Sequence, residues 1–115
     1  MLARLWTTRI ASGAGSTYDD FAARRSRPMF AALPGCLSAV FFGTGETRFV
    51  LSLWVDQACI DALASNPVYT NTVESFLATG ALAEPQTTVV YAVTGGTFDL
   101  IGLASTVLRP DAYPE

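Results

Sequence analysis

Two apolar stretches, CLSAVFFG (36–43) and RFVLSLWV (48–55), are joined by the short loop GTGET, and the second stretch is apolar on both of its faces. Such a pair reads as a β-hairpin with a glycine-containing turn. Along the second strand Phe49, Leu51 and Leu53 alternate with Val50, Ser52 and Trp54. Helices packed on a sheet cover only one face, so the other needs a partner, and a second copy of the chain is the simplest one. At 115 residues the chain makes one domain and leaves little room for another. Half its residues are hydrophobic (50%) and few are charged (15%), which excludes disorder and leaves apolar surface to cover.

The flanking segments fix the order of elements. LARLWTTRI (2–10) reads as a strand. Ser16 with Asp19 three residues on resembles a capping box that starts a helix, with Tyr18, Phe21, Ala22, Met29 and Leu33 along one stripe. Pro28 is expected to kink or end that helix near Ser26, and LPG (33–35) stops it. After the hairpin, Asp56 is a good N-cap for a helix whose inner face holds Cys59, Ile60 and Leu63. Asn66 and Pro67 then cap and open another, with Val68, Tyr69, Val73, Phe76 and Leu77 on its apolar side and Gly80 beyond its end. TTVVYAV (87–93) is the fourth strand. The order β-α-β-β-α-β predicts an α+β, ferredoxin-like sheet with helices on one face. Residues 1–94 form this domain, and 95–115 form an apolar extension expected to pack across a dimer seam or add an edge strand.

Several functions are excluded by what is missing. A net charge of −3 argues against nucleic acid as the main partner, and every cation is an arginine. No apolar run reaches about 18 residues, so no membrane helix is expected. Arg4 and Arg9 interrupt the first residues, which do not read as a signal peptide. Two cysteines, Cys36 and Cys59, are too few for a disulfide scaffold and read as reduced thiols of a cytoplasmic protein. With no histidine, Ser-His-Asp and Cys-His nucleophile systems are impossible, and two cysteines cannot complete a structural zinc site. A proximal histidine for haem is missing too, which leaves only a tyrosine or cysteine ligand open. GAGSTY (13–18) has Tyr18 where a dinucleotide fingerprint needs its third glycine, so it reads as a plain β-to-α turn. Arg24, Arg25 and Arg27 read as a solvated helix face.

The aromatics are the positive signal. Arg4 and Trp6 share a face of the first strand, and Ser52 and Trp54 share one of the third. If both faces point away from the helices, two indoles, a hydroxyl and a guanidinium line one cavity. That mixture suits a flat, partly oxygenated organic molecule. Each indole taken singly is as readily a core or dimer-contact residue, and a cavity filled by Trp6, Phe41 and Trp54 would mark a structural role. Asn66, Tyr69 and Asn71 offer hydrogen bonds near such a cavity, although capping already explains Asn66.

In this order and spacing, MLARLWTTRI, RPMFAALPGCLSAVFF and LSLWVDQACIDAL resemble the antibiotic biosynthesis monooxygenase domain of the dimeric α+β barrel superfamily, over residues 1–94. The resemblance implies a homodimer whose sheets face each other, each subunit keeping a pocket between sheet and helices. Some members oxidise polycyclic phenols with molecular oxygen and without metal or flavin, so no cofactor is expected. By that resemblance Trp54 is a catalytic position, joined by Arg4 and Tyr69, with Trp6, Phe41, Ser52 and Asn66 against a small aromatic ligand. Other members degrade haem through an Asn, Trp and His set. Here Leu63 holds the histidine place, which argues against haem degradation. Two functions stay open: a cofactor-independent monooxygenase, and a non-catalytic dimer that binds a small ligand or accompanies another enzyme.

Overall fold

The computed structural model describes residues 1–97. Its four strands, β1 (Leu2–Ile10), β2 (Cys36–Thr44), β3 (Thr47–Trp54) and β4 (Leu82–Ala92), form one antiparallel sheet in the order β2-β3-β1-β4. Helices α1 (Gly15–Phe21) and α2 (Arg27–Ala32) connect β1 to β2, and α3 (Gln57–Asp61) and α4 (Pro67–Ala78) connect β3 to β4. This is the predicted ferredoxin-like arrangement. The expected course of the C-terminal extension lies outside the described residues beyond 97.

Local chemistry accounts for most boundaries. Gly45 and Glu46 alone separate β2 from β3, and Gly45 takes φ +56° as a two-residue hairpin with glycine first requires. Asp56 caps α3 by accepting from the Cys59 amide at 3.0 Å, and Asn66 caps α4 by accepting from the Val68 amide at 2.9 Å. Gly35, at φ +77°, lets the chain turn into β2 against Cys59; a Cβ there would stand 2.7 Å from the Cys59 Cβ.

Two boundaries differ from expectation and a third meets it in part. Ser16 does not cap α1, which starts at Gly15 behind Ala14 with no side-chain cap. The regular helix is interrupted up to Ser26, as Pro28 led one to expect, but it does not stop there: a π-helical turn over Ala22–Ser26 intervenes, and α2 continues with the proline in its first turn, where a missing N–H costs little. Strand β4 starts at Leu82, five residues before the expected 87, because Pro85 lies on an edge strand that tolerates the lost donor.

The register assigns the two faces. Leu2 stands opposite Trp54, Arg4 opposite Ser52 and Trp6 opposite Val50, and this face lies under the helices. The reading in which the Trp6 and Trp54 faces turn away from the helices is thereby corrected: Trp54, Ser52 and Thr8 are each 0% exposed. On the other face a single row, Val40–Leu51–Leu5–Val89, runs across all four strands, flanked by Phe42 stacked on Phe49 (5.1 Å) and by Tyr91. Phe42 and Tyr91 are 46% and 53% exposed, so among the described residues the face is apolar and uncovered.

Cys36, at the start of β2, packs on the core, and burial pushes its thiol up to about 11 from an ordinary 9.0, against the opposing pull of Ser38 and the Arg4 charge. The unfolded chain therefore ionises first. Stability from this group is present below pH 9 and is lost as pH rises from there to about 11. Burial of Tyr18, whose hydroxyl has no hydrogen-bond partner among the described residues, extends the same loss from 10 to about 12. Urea midpoints followed by circular dichroism should fall through this window. Cys36→Ala should flatten its first part; an unchanged slope in the variant would assign the loss to another group.

Candidate functional site

The site begins at the centre of the sheet. Arg4 projects from β1 towards α4, where its Nη2 donates to the Tyr69 hydroxyl at 2.9 Å, and its guanidinium lies 5.7 Å from the Tyr69 ring centroid. Tyr69 is held in the first turn of α4, which Asn66 and Pro67 fix in place. One step along β1, the Trp6 ring faces Phe76 of α4 at 6.5 Å. Phe41 of β2 meets Phe30 of α2 edge-on at 5.8 Å. These side chains bound a cleft between α4 and the sheet that opens to solvent at its mouth. Val50, Val73 and Leu77 complete its apolar wall, and Ser26, Thr72 and Gln86 add polar atoms. The Thr72 hydroxyl already donates to the Val68 carbonyl at 2.7 Å within the helix. Among the described residues no aspartate or glutamate lines the cleft, and Arg4 is the charged group there.

The residues expected at the site divide into two sets. Arg4, Trp6, Phe41 and Tyr69 line the cleft together. Trp54, Ser52 and Asn66 do not. Trp54 is sealed among Met29, Phe30, Leu33, Ile60 and Leu63, and its Nε1 donates to Ser52 Oγ at 2.8 Å. Ser52 Oγ in turn donates to the Arg4 carbonyl at 3.4 Å. The pair thus supports the backbone under Arg4. Leu63, in the place a histidine was sought, is a core neighbour of the indole. Asn66 is occupied by capping, and Asn71 is exposed and away from the cleft. Met29, Val73, Phe76 and Gln86 were not foreseen as lining residues. The apolar stripe of α4 already contained Val73 and Phe76, but the sequence did not show that α4 stands off the sheet far enough to leave space. Among the described residues no group of three or more His, Cys, Asp or Glu is placed to hold a metal, and no helix is long and apolar enough to cross a membrane.

Sheet order, helix placement and cleft together define a ferredoxin-like α+β domain with its pocket between one helix and the sheet. More particularly, the fold is that of the antibiotic biosynthesis monooxygenase domain. The monooxygenase ActVA-Orf6 of Streptomyces coelicolor, solved in complex with nanaomycin D, matches with a TM-score of 0.71 at 16% identity, over 84% of this chain and 90% of that one. SnoaB, a cofactor-independent oxygenase from Streptomyces nogalater, matches with a TM-score of 0.69 at 12% identity, over 83% of this chain and 94% of that one. NE2512 from Nitrosomonas europaea, a protein of unknown function, matches with a TM-score of 0.70 at 18% identity, over 84% and 92%. No family model and no curated protein sequence matches this chain.

Proposed function

We propose that this chain is a homodimeric, antibiotic biosynthesis monooxygenase-like protein that takes a small aromatic or polycyclic molecule into the cleft beneath α4. The observation that carries the reading is the Arg4–Tyr69 pair: a buried guanidinium and a phenol, 2.9 Å apart, set in a wall of aromatic and aliphatic side chains. Apolar walls with few convergent polar groups are what a flat oxygenated ligand needs. The likeness of fold to oxygenases that include a nanaomycin D complex supports the same ligand class. The open face of the sheet supports the homodimer. Two reduced cysteines fit a reducing, cytoplasmic setting.

Oxygenase chemistry at this cleft would rest on the substrate. In a polycyclic phenol with an activated methylene, oxidation to the ketone gives up four electrons, one oxygen atom enters the carbonyl and the other leaves as water. Dioxygen alone balances that reaction. The protein's part is to orient the ring, exclude water and stabilise the anion, for which Arg4 supplies charge and Tyr69 a hydroxyl. A specific observation favours the second reading, binding without turnover: the chain has no histidine, and among the described residues no carboxylate lines the cleft to take the first proton.

Oxygen uptake with a panel of anthrone- and naphthol-type phenols, without added metal or flavin, separates the two. Turnover that falls at least about tenfold in Tyr69→Phe supports an oxygenase. Saturable binding of the same phenols with no uptake supports the ligand-binding dimer, and neither uptake nor binding overturns the cleft as a ligand site.

A further inference from the structure

Arg4 is 8% exposed, yet among the described residues it has no ion-pair partner. The ion pairs that do form use Arg9, Arg24 and Arg48, all nearer to solvent. A guanidinium offers five N–H donors in a planar fork, and among the described residues its one side-chain bond runs from Nη2 to the Tyr69 hydroxyl. Among the same residues Nε and Nη1 have no protein acceptor, although the side chain lines the cleft. A charge withdrawn from water without a counter-charge is costly unless something else supplies one. The nearby Cys36 thiol does not: burial holds it neutral at physiological pH.

We propose that the ligand of this cleft carries a carboxylate, and that Arg4 selects it by a two-point contact. This rests on the cleft being a ligand site, as argued above, and narrows the ligand to an aromatic acid. The geometry of the donor favours a carboxylate over a phenolate. Two parallel acceptor oxygens match the guanidinium fork, whereas a phenolate offers one, and Tyr69 already provides a phenolic oxygen at that point. The ring system lies against Trp6, Phe41 and Phe76, which offer faces and edges but no hydrogen-bond acceptor.

Calorimetric titration of the full chain at neutral pH with 2-naphthoate, 2-naphthamide and 2-naphthol tests this, since the three share a ring system and only the first is ionised. We expect 2-naphthoate to bind at least about tenfold more tightly than the amide. In Arg4→Gln that preference should vanish; Arg4→Lys, a point charge without the fork, should keep part of it. Equal affinity for acid and amide in the native protein overturns the proposal without recourse to any variant. So does a preference that survives Arg4→Gln. If the amide and naphthol bind and the acid gains nothing, the carboxylate inference fails and the ligand site stands. If none of the three binds, both fall.

Discussion

Trp54→Ala should cost the fold about 3–5 kcal/mol, the usual range for deleting a fully buried aromatic side chain. The indole is 0% exposed and is the piece on which α2, β3 and the α3 segment meet, through Met29, Phe30, Leu33, Ile60 and Leu63. Its removal leaves a cavity lined from several elements at once, which no single side chain can refill. It also strips Ser52 Oγ of the donor it accepts from. A domain of this size has only about 5–15 kcal/mol in hand, so the urea midpoint should fall by about a fifth or more. Trp54→Phe is the sharper variant. It keeps most of the apolar volume, loses the Nε1 hydrogen bond, and should cost about 1–2 kcal/mol. Because the indole does not line the cleft, naphthol-type ligands should bind this variant within about threefold of the native affinity. A Trp54→Phe protein of native stability that had lost its ligand would instead place the indole at the site.

The fold was legible because its signals are local: the GTGET turn, the caps at Asp56 and Asn66, and the period-2 runs of β1 and β3 all act within a few residues. Where local rules conflict with context, context won. Pro28 argued for a helix end, but a widened turn before it absorbed the lost bond; Pro85 argued against a strand, but the strand is an edge. The site was legible only in part. Arg4 and Tyr69 are far apart in sequence, and their pairing depends on how α4 lies across β1, which no spacing encodes. Trp54 shared strand parity with Ser52, which was read correctly. Whether that face meets a ligand or a helix depends on Leu63 and Ile60 reaching it from the following segment.

The largest change in assembly should come from Leu51→Arg. Leu51 is at the centre of the row Val40–Leu51–Leu5–Val89, on the face that the helices leave bare. A homodimer joined through that face would bury this row against its symmetry mate. Two guanidiniums would then be withdrawn from water on either side of the two-fold axis, with no acid among the residues of the row to meet them. Like charges so placed cost several kcal/mol, which weakens dimerisation by about a thousandfold. Sedimentation equilibrium should show the native chain as a dimer and Leu51→Arg as a monomer at the same concentration. The cleft opens on the opposite side of the sheet, so the variant monomer should still bind 2-naphthol, if less stably folded. Phe42→Asp, at the end of the face rather than its centre, should give an intermediate dissociation constant. An unaltered dimer in Leu51→Arg would mean that the chains associate elsewhere, and that the apolar sheet face is covered from within the chain itself.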